Sequence, residues 1–484
     1  MSKQVRIKFS LLALVIFVLV GLSIPASTSS QPGQQATTTA SSRNAALIAA
    51  TAEVLKETSE VRQLPVLRQV PSSTQSRVEI ERMLIKNLDE ETTPAQLHAT
   101  EVTMKKLGLA PASFRYRELM LRLLTEQVAG YYDPKMREFH LADWIDLDGQ
   151  KPVMAHELTH ALQDQHFDLR RFSHWPRGDS DAELAAHALI EGDATLLMSF
   201  YVLRDPLRAL AFLRSMGSTG MSSDELDKAP RALRESLLFP YQQGLLWTRR
   251  LYGEGGWARV SKAYTELPQS SEQILHPEKY FAKEAPVKLT LPDLTPLLNR
   301  RSRKAETRGQ RSEVSEQSAV GSEQSAGSTG LMIRSRRQLL TAHRSLPTVA
   351  WRRIDTDVNG EWSLYLILDQ YLKSPTESRR AAAGWGGDRS AVYEGPKGEV
   401  LFVCLSTWDT ENDAREFFDA YVKRSGLRYP GVNPTPKSST TSKIFHTSEG
   451  DVIIELRGAR VLIVEGSPDR INSNVIAKSL WQER

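Results

Sequence analysis

The sequence predicts an α+β fold in two parts: a mainly helical first part with one short β-hairpin, and a smaller antiparallel α+β module near the C-terminal end. Three observations carry this. From Ala45 to Thr265 apolar residues recur at three- and four-residue spacing, behind helix-opening pairs such as Ser76 with Glu79 and Thr93 with Gln96. One stretch there, Tyr131 to Leu141, instead reads as two short strands about an Asp133-Pro134 turn. Past Trp351, apolar runs of strand length alternate with helical stretches.

The 484 residues suffice for two or three domains, each with its own core. Hydrophobic residues at 40% and charged residues at 25% describe an ordinary globular chain. The formal charge of +4 is small, and much of the excess lies in one linker, so no nucleic-acid partner is expected. Cys404 is the single cysteine, which excludes an internal disulfide and a cysteine zinc site. Leu401-Phe402-Val403 before it mark a buried strand.

Lys3, Arg6 and Lys8 precede an apolar run from Phe9 to Ile24, then Pro25-Ala26-Ser27. This is the layout of a secretory signal over residues 1–26. The run is short of the ~20 residues of a spanning helix, so an uncleaved anchor is the alternative. An exported protein is expected, periplasmic, extracellular or at the cell surface, touching a membrane only through that segment. Residues 27–44 read as a flexible tether and 45–299 as the first domain. Residues 300–345, with Ser-Glu-Gln-Ser-Ala at 315–319 and again at 322–326, read as a disordered linker before a module over 346–484.

Within the first domain, helices open at Ser76 and at Thr93-Pro94, the second stopping near Gly108. A third runs from Phe114 to Val128 and is ended by Gly130. The hairpin follows. Its second strand, just before the motif helix, is placed to pair with an extended peptide, a plain hairpin being the other reading. A loop is expected from Arg171 to Gly178, then a capping box of Ser180 with Glu183 opening a helix to Leu203. Helices are expected over Leu207–Met216, Ser223–Leu238, Gln242–Leu251 and Gly256–Thr265, with Leu275-His276-Pro277 closing the helical region. In the second module the pattern gives a helix at Glu361–Leu372, a strand at Val400–Leu405 and a helix at Glu411–Arg424. Strands at Val452–Leu456 and Val461–Val464 and a helix at Arg470–Trp481 follow, while Gly384–Arg389 reads as a glycine-rich turn.

The chemistry concentrates in Met154–Leu169, which holds His156-Glu157-Leu158-Thr159-His160. Residues four apart on a helix lie about 40° apart around the axis, so both imidazoles share a face. Two neutral imidazoles so placed can hold Zn²⁺, and Glu157 can reach a water on that ion as general base. Met154, Ala155, Leu158, Ala161 and Leu162 flank the motif, so the helix is expected inside the protein, where two histidines and a glutamate need a reason to be.

A catalytic zinc usually takes three protein ligands. Glu191 is the preferred third, on a helix long enough to cross the motif helix, with Gly192 allowing close backbone approach. Glu183 and His187 share roughly its face at four-residue spacing and are the rivals. Asp193 is expected as the acceptor that fixes the ring of His156 or His160. His276, Tyr241 and His187 are nominated as the further donor to an oxyanion.

HELTH followed by a helix carrying EGDA resembles the gluzincin branch of zinc metallopeptidases, over roughly Tyr131 to Thr195. That resemblance implies a zincin-like domain, His156, His160 and Glu191 as ligands to one catalytic Zn²⁺, and Glu157 as general base. The gap from His160 to Glu191 is longer than in the thermolysin-like pattern, and no Asn precedes the glutamate. The longer string HELTHALQDQHFDL also resembles a group of uncharacterised bacterial secreted proteins, in which LHPEKY (275–280) and GWGGD (384–388) recur. The expected function is an exported zinc metallopeptidase acting on a peptide or protein substrate. The alternatives are a zinc hydrolase of another amide, such as one in the cell wall, and a non-catalytic surface or scaffold protein stabilised by its metal.

Overall fold

The computed structural model describes residues 35–127, 130–144, 150–175, 178–210, 212, 224–299, 350–468 and 473–481. The expected signal (1–26) and linker (300–345) lie outside these residues. Residues 35–44, expected in the tether, are the first turns of α1 (Gln35–Arg62).

The chain is α+β, with two separate sheets. After α1 come β1 (Ser72–Gln75), α2 (Arg77–Glu91), α3 (Pro94–Lys106), α4 (Tyr116–Gln127), β2 (Gly130–Asp133) and β3 (Glu138–Ala142). Both capping boxes expected here form: Ser76 and Glu79 satisfy each other's backbone N–H at the start of α2, and Thr93 with Gln96 do so at α3. Gly130 opens β2 rather than merely ending a helix.

The three-stranded sheet corrects the peptide-pairing expectation. β3 is its middle strand, parallel to β1 (Ser72 opposite Phe139) and antiparallel to β2 (Tyr132 opposite Phe139). Both edges of β3 are therefore taken, and no extended peptide can add to it. No local pattern marks β1, because Ser72-Ser73-Thr74-Gln75 has no apolar alternation.

Next come α5 (Lys151–Phe167), a 3₁₀ turn over Leu169–His174 where a loop was expected, and α6 (Ser180–Leu203). The capping box expected at Ser180 does not form. Asp179 caps α6 by accepting from Ala182 N at 3.2 Å, while the Ser180 hydroxyl donates to Asp357 across the domain junction. A short α7 (Asp224–Lys228) leads to α8 (Arg231–Ala263). The separate helices expected on either side of Pro240 are thus one. Pro240 removes a single backbone donor, and the buried Leu237, Phe239, Tyr241 and Trp247 hold the helix together across it. α8 breaks instead at Gly255–Gly256, where Gly256 has φ 61°. Two short helices, α9 (Ser271–Leu275) and α10 (Pro277–Phe281), meet at His276.

α1, α5, α6 and α8 share one core, in which Leu47, Val54, Met154, Leu158, Leu162, Leu189, Leu197 and Trp247 are buried. α6 is buried almost all round, as its Ala- and Leu-rich sequence requires. It crosses α8 glycine on glycine, as expected for Gly192. A methyl on Gly192 would lie 2.2 Å from the Gly244 carbonyl oxygen, and one on Gly244 would lie 2.2 Å from that of Ala188.

The second module contains β4 (Arg352–Asp357), α11 (Gly360–Leu372), α12 (Pro375–Ala382), β5 (Trp385–Glu394), β6 (Val400–Trp408), α13 (Glu411–Arg428), β7 (Ser442–Thr447), β8 (Gly450–Arg457), β9 (Arg460–Ser467) and α14 (Ser473–Leu480). Its antiparallel sheet has the order β4-β5-β6-β9-β8-β7. The glycine-rich turn expected at Gly384–Arg389 is corrected to the start of β5, Trp385 pairing with Trp408. The glycines there serve close approach. Val287 N donates to Gly386 O at 2.7 Å, and a methyl on Gly387 would lie 2.3 Å from Val287 O. Leu294 and Leu298 accordingly pack beneath this sheet with Leu462, Val464 and Ile476. On the other side, Trp362 and Tyr365 of α11 enter the core of the helical part, Trp362 against Phe239 with ring centroids 4.7 Å apart.

Candidate metal centre

α5 and α6 meet at three side chains. His156 and His160, one turn apart on α5, present Nε2 atoms 3.1 Å from each other. Glu191 of α6 places Oε2 3.1 Å from His156 Nε2 and 3.5 Å from His160 Nε2. These three donor atoms lie within 4.8 Å of one another, and all three residues are buried. The structure therefore brings Glu191 to the histidine pair, and not its rivals Glu183 and His187.

The electrostatics follow from burial and this pairing. Burial pushes the His156 imidazole down to about 4. Burial opposes charge on His160 too, but the Glu191 carboxylate beside it, helped by Glu157 and Gln163, raises it to about 9. Glu191, with burial working against its charge, is brought down to about 2 by His160 and His156. Glu191 Oε1 is also buried with no hydrogen-bond partner. Two imidazoles, a carboxylate and an orphaned carboxylate oxygen fit a zinc ion.

Glu157 projects from the same helix, and its Oε2 accepts the Tyr132 backbone N–H at 3.0 Å. Burial raises its carboxyl to about 7. Here β2 acts through its backbone: a peptide N–H fixes the carboxylate, and Tyr132 OH donates to Asp164 of α5 at 3.0 Å.

The support behind the histidines corrects the expectation for Asp193. The ring of His160 is fixed by Gln163, whose Oε1 lies 2.9 Å from Nδ1. Gln163 Nε2 donates in turn to Ile190 O at 3.0 Å and to Asp193 Oδ2 at 3.1 Å. Asp193 therefore acts one residue removed, through Gln163. It is held by Arg62 (2.6 Å, both side chains fully buried) and by Tyr264 OH (2.8 Å). Gln163 was within reach of sequence reasoning, three residues after His160 on the same helix. Arg62 and Tyr264 lie far off in the chain, with no local pattern to mark them.

The nominated oxyanion donors separate. Tyr241 of α8 stacks on His156, with centroids 6.2 Å apart and planes at 28°. His187 stands one turn before Glu191, its ring pushed down to about 4 by burial. His276 is corrected: it pairs with Glu361 of the second module at 3.0 Å, where it joins the two parts of the chain. Glu183 lies two turns from Glu191, beside Asp357 and Asp179. A second acidic group, Glu272, Glu284 and Asp409, already surrounds the Lys279 ammonium.

One family description matches the chain, a domain of unknown function (DUF8575), over residues 347–475. The match covers most of the second module and leaves His156, His160 and Glu191 outside. No curated protein and no solved structure matches the chain. Among the described residues no helix is long and apolar enough to cross a membrane.

Proposed function

We propose that the chain is an exported zinc metallopeptidase of the gluzincin, zincin-like type, hydrolysing peptide bonds. The observation that carries the proposal is the convergence of His156, His160 and Glu191 within 4.8 Å, with Glu157 beside them. A zinc ion held by those three residues would supply a Lewis acid and a water of lowered pKa. The remaining steps belong to the chain. Tyr132 N–H occupies Glu157 Oε2, so Oε1 is the oxygen that takes a proton from the attacking water and passes it to the leaving amine. Gln163 holds the His160 ring with Nε2 toward the centre, and the stacked Tyr241 limits the motion of His156. Export rests on the basic start and apolar run of residues 1–26.

The test is cleavage of a mixed peptide library by the purified full chain, with and without chelator, alongside Glu157→Gln. Cleavage that chelator and Glu157→Gln each abolish supports the proposal. A protein that retains zinc and cleaves no peptide excludes it in favour of another amide substrate or a non-catalytic role.

A further inference from the structure

Between the N-terminal helices and the second module lies a cavity of about 610 Å³ that the chemistry above does not use. This is an ordinary size for a ligand pocket. Much of its lining is apolar, including Met120 and Leu124 of α4 and Leu233 and Leu237 of α8. Glu183 of α6 and Asp355 and Asp357 of β4 also face it. Arg353 is the one basic side chain in that lining among the described residues, with Arg389 close to Asp355. The carboxylates differ in what they already hold. Asp357 accepts from Ser180 N at 2.9 Å and Asp355 from Thr356 N at 2.9 Å. Glu183 has burial, Asp357 and Asp179 all opposing its charge, and among the described residues no cation offsets them.

Two helices tie this cavity to the metal centre. Along α6, Glu183, His187 and Glu191 follow at four-residue intervals, so the cavity's carboxylate lies about 12 Å from the third ligand at 1.5 Å per residue. Along α8, Leu233 and Leu237 are followed one turn later by Tyr241, whose ring stacks on His156. The helices touch at Gly192 and Gly244, so both rows run from the cavity toward the same centre.

We propose that this cavity is the specificity pocket of the enzyme, seating a substrate segment in which a lysine or arginine sits among apolar residues. The identity of the occupant rests on the peptidase reading above. The apolar lining takes the neighbouring side chains, and Glu183, supported by Asp355 and Asp357, takes the cation. An extended peptide advances about 3.3 Å per residue, so ~12 Å places the basic residue three or four positions from the bond that is cut.

The experiment uses the zinc-loaded full chain and two labelled peptides of one apolar sequence, with lysine or norleucine at one position. Binding is read by fluorescence anisotropy on Glu157→Gln protein, and cleavage sites by mass spectrometry on the wild type. At pH 9, where Glu183 is ionised and lysine is still charged, the lysine peptide is expected to bind about tenfold more tightly than the norleucine peptide, the worth of one charge-assisted hydrogen bond. Adding Glu183→Gln removes that tenfold difference, Leu233→Trp weakens both peptides, and the cut falls three or four residues from the lysine. Equal binding of the two peptides, or a difference that Glu183→Gln leaves intact, overturns the pocket even where zinc-dependent cleavage persists. Lysine-dependent binding that Glu183→Gln removes, with no cleavage by the wild type, upholds the pocket and defeats the peptidase reading. Binding of a long-chain amine but of neither peptide also overturns the proposal.

Discussion

Gly192 and Gly244 touch backbone to backbone where α6 crosses α8, and Gly192 directly follows Glu191, the carboxylate grouped with His156 and His160. The crossing sets how deeply α6 sits against its neighbours, and thereby where Glu191 stands relative to His156 and His160. Gly192→Ala puts a methyl 2.2 Å from the Gly244 carbonyl oxygen, where only a backbone shift makes room. We expect a loss of about 1–3 kcal/mol in urea unfolding, together with weakened zinc retention. Wild-type stability and zinc content in this variant would contradict that role for the crossing.

Arg62 and Asp193 form a fully buried ion pair that anchors Gln163 from behind. Removing one partner leaves an uncompensated charge, so Arg62→Met is expected to destabilise by ~3–5 kcal/mol. Arg62→Met with Asp193→Leu should recover part of the loss. A double-mutant cycle on denaturation midpoints reads the coupling, and additive effects would show that the pair is not coupled.

Gln163→Leu leaves His160 Nδ1 without its acceptor while keeping the side chain's bulk. Zinc affinity, measured by competition with a chromophoric chelator, should fall ~10–100-fold, as for other outer-shell partners of metal-bound histidine. An unchanged affinity would mean that the ring is positioned by packing alone.

Glu183 gives a pH prediction independent of the metal. Burial, then Asp357 and Asp179, raise its pKa from 4.5 to about 8. Between these values the unfolded chain carries the carboxylate ionised and the folded chain keeps it protonated. Its contribution to stability is therefore complete below 4.5 and is lost as pH rises toward about 8. Glu183→Gln should flatten the fall in stability across that window, with little difference from wild type at its acid end. Parallel unfolding curves at pH 5 and pH 8 check this, and an equal pH slope in both proteins would contradict it.

What was legible in the sequence was local. The i, i+4 histidines, the glutamate between them and the capping boxes at Ser76 and Thr93 are all patterns within one turn, and all appear where expected. Glu191 could be favoured because Glu-Gly on a long apolar helix signals a close crossing. The failures are non-local. β1 has no alternation because a parallel partner, not an apolar face, defines it. Ser180 is drawn from its own helix to Asp357, 177 residues away. The glycines at 386–387 serve the backbone of Val287 rather than a turn. His276 pairs across the two parts of the chain, which no spacing rule reveals.

Zinc stoichiometry of the purified full chain tests the central claim most directly. Elemental analysis should find one zinc per chain in the wild type, in Glu157→Gln and in Glu183→Ala, and none retained in Glu191→Ala. A wild-type protein that holds no zinc after loading and desalting, or a Glu191→Ala variant that holds as much as the wild type, would contradict the account.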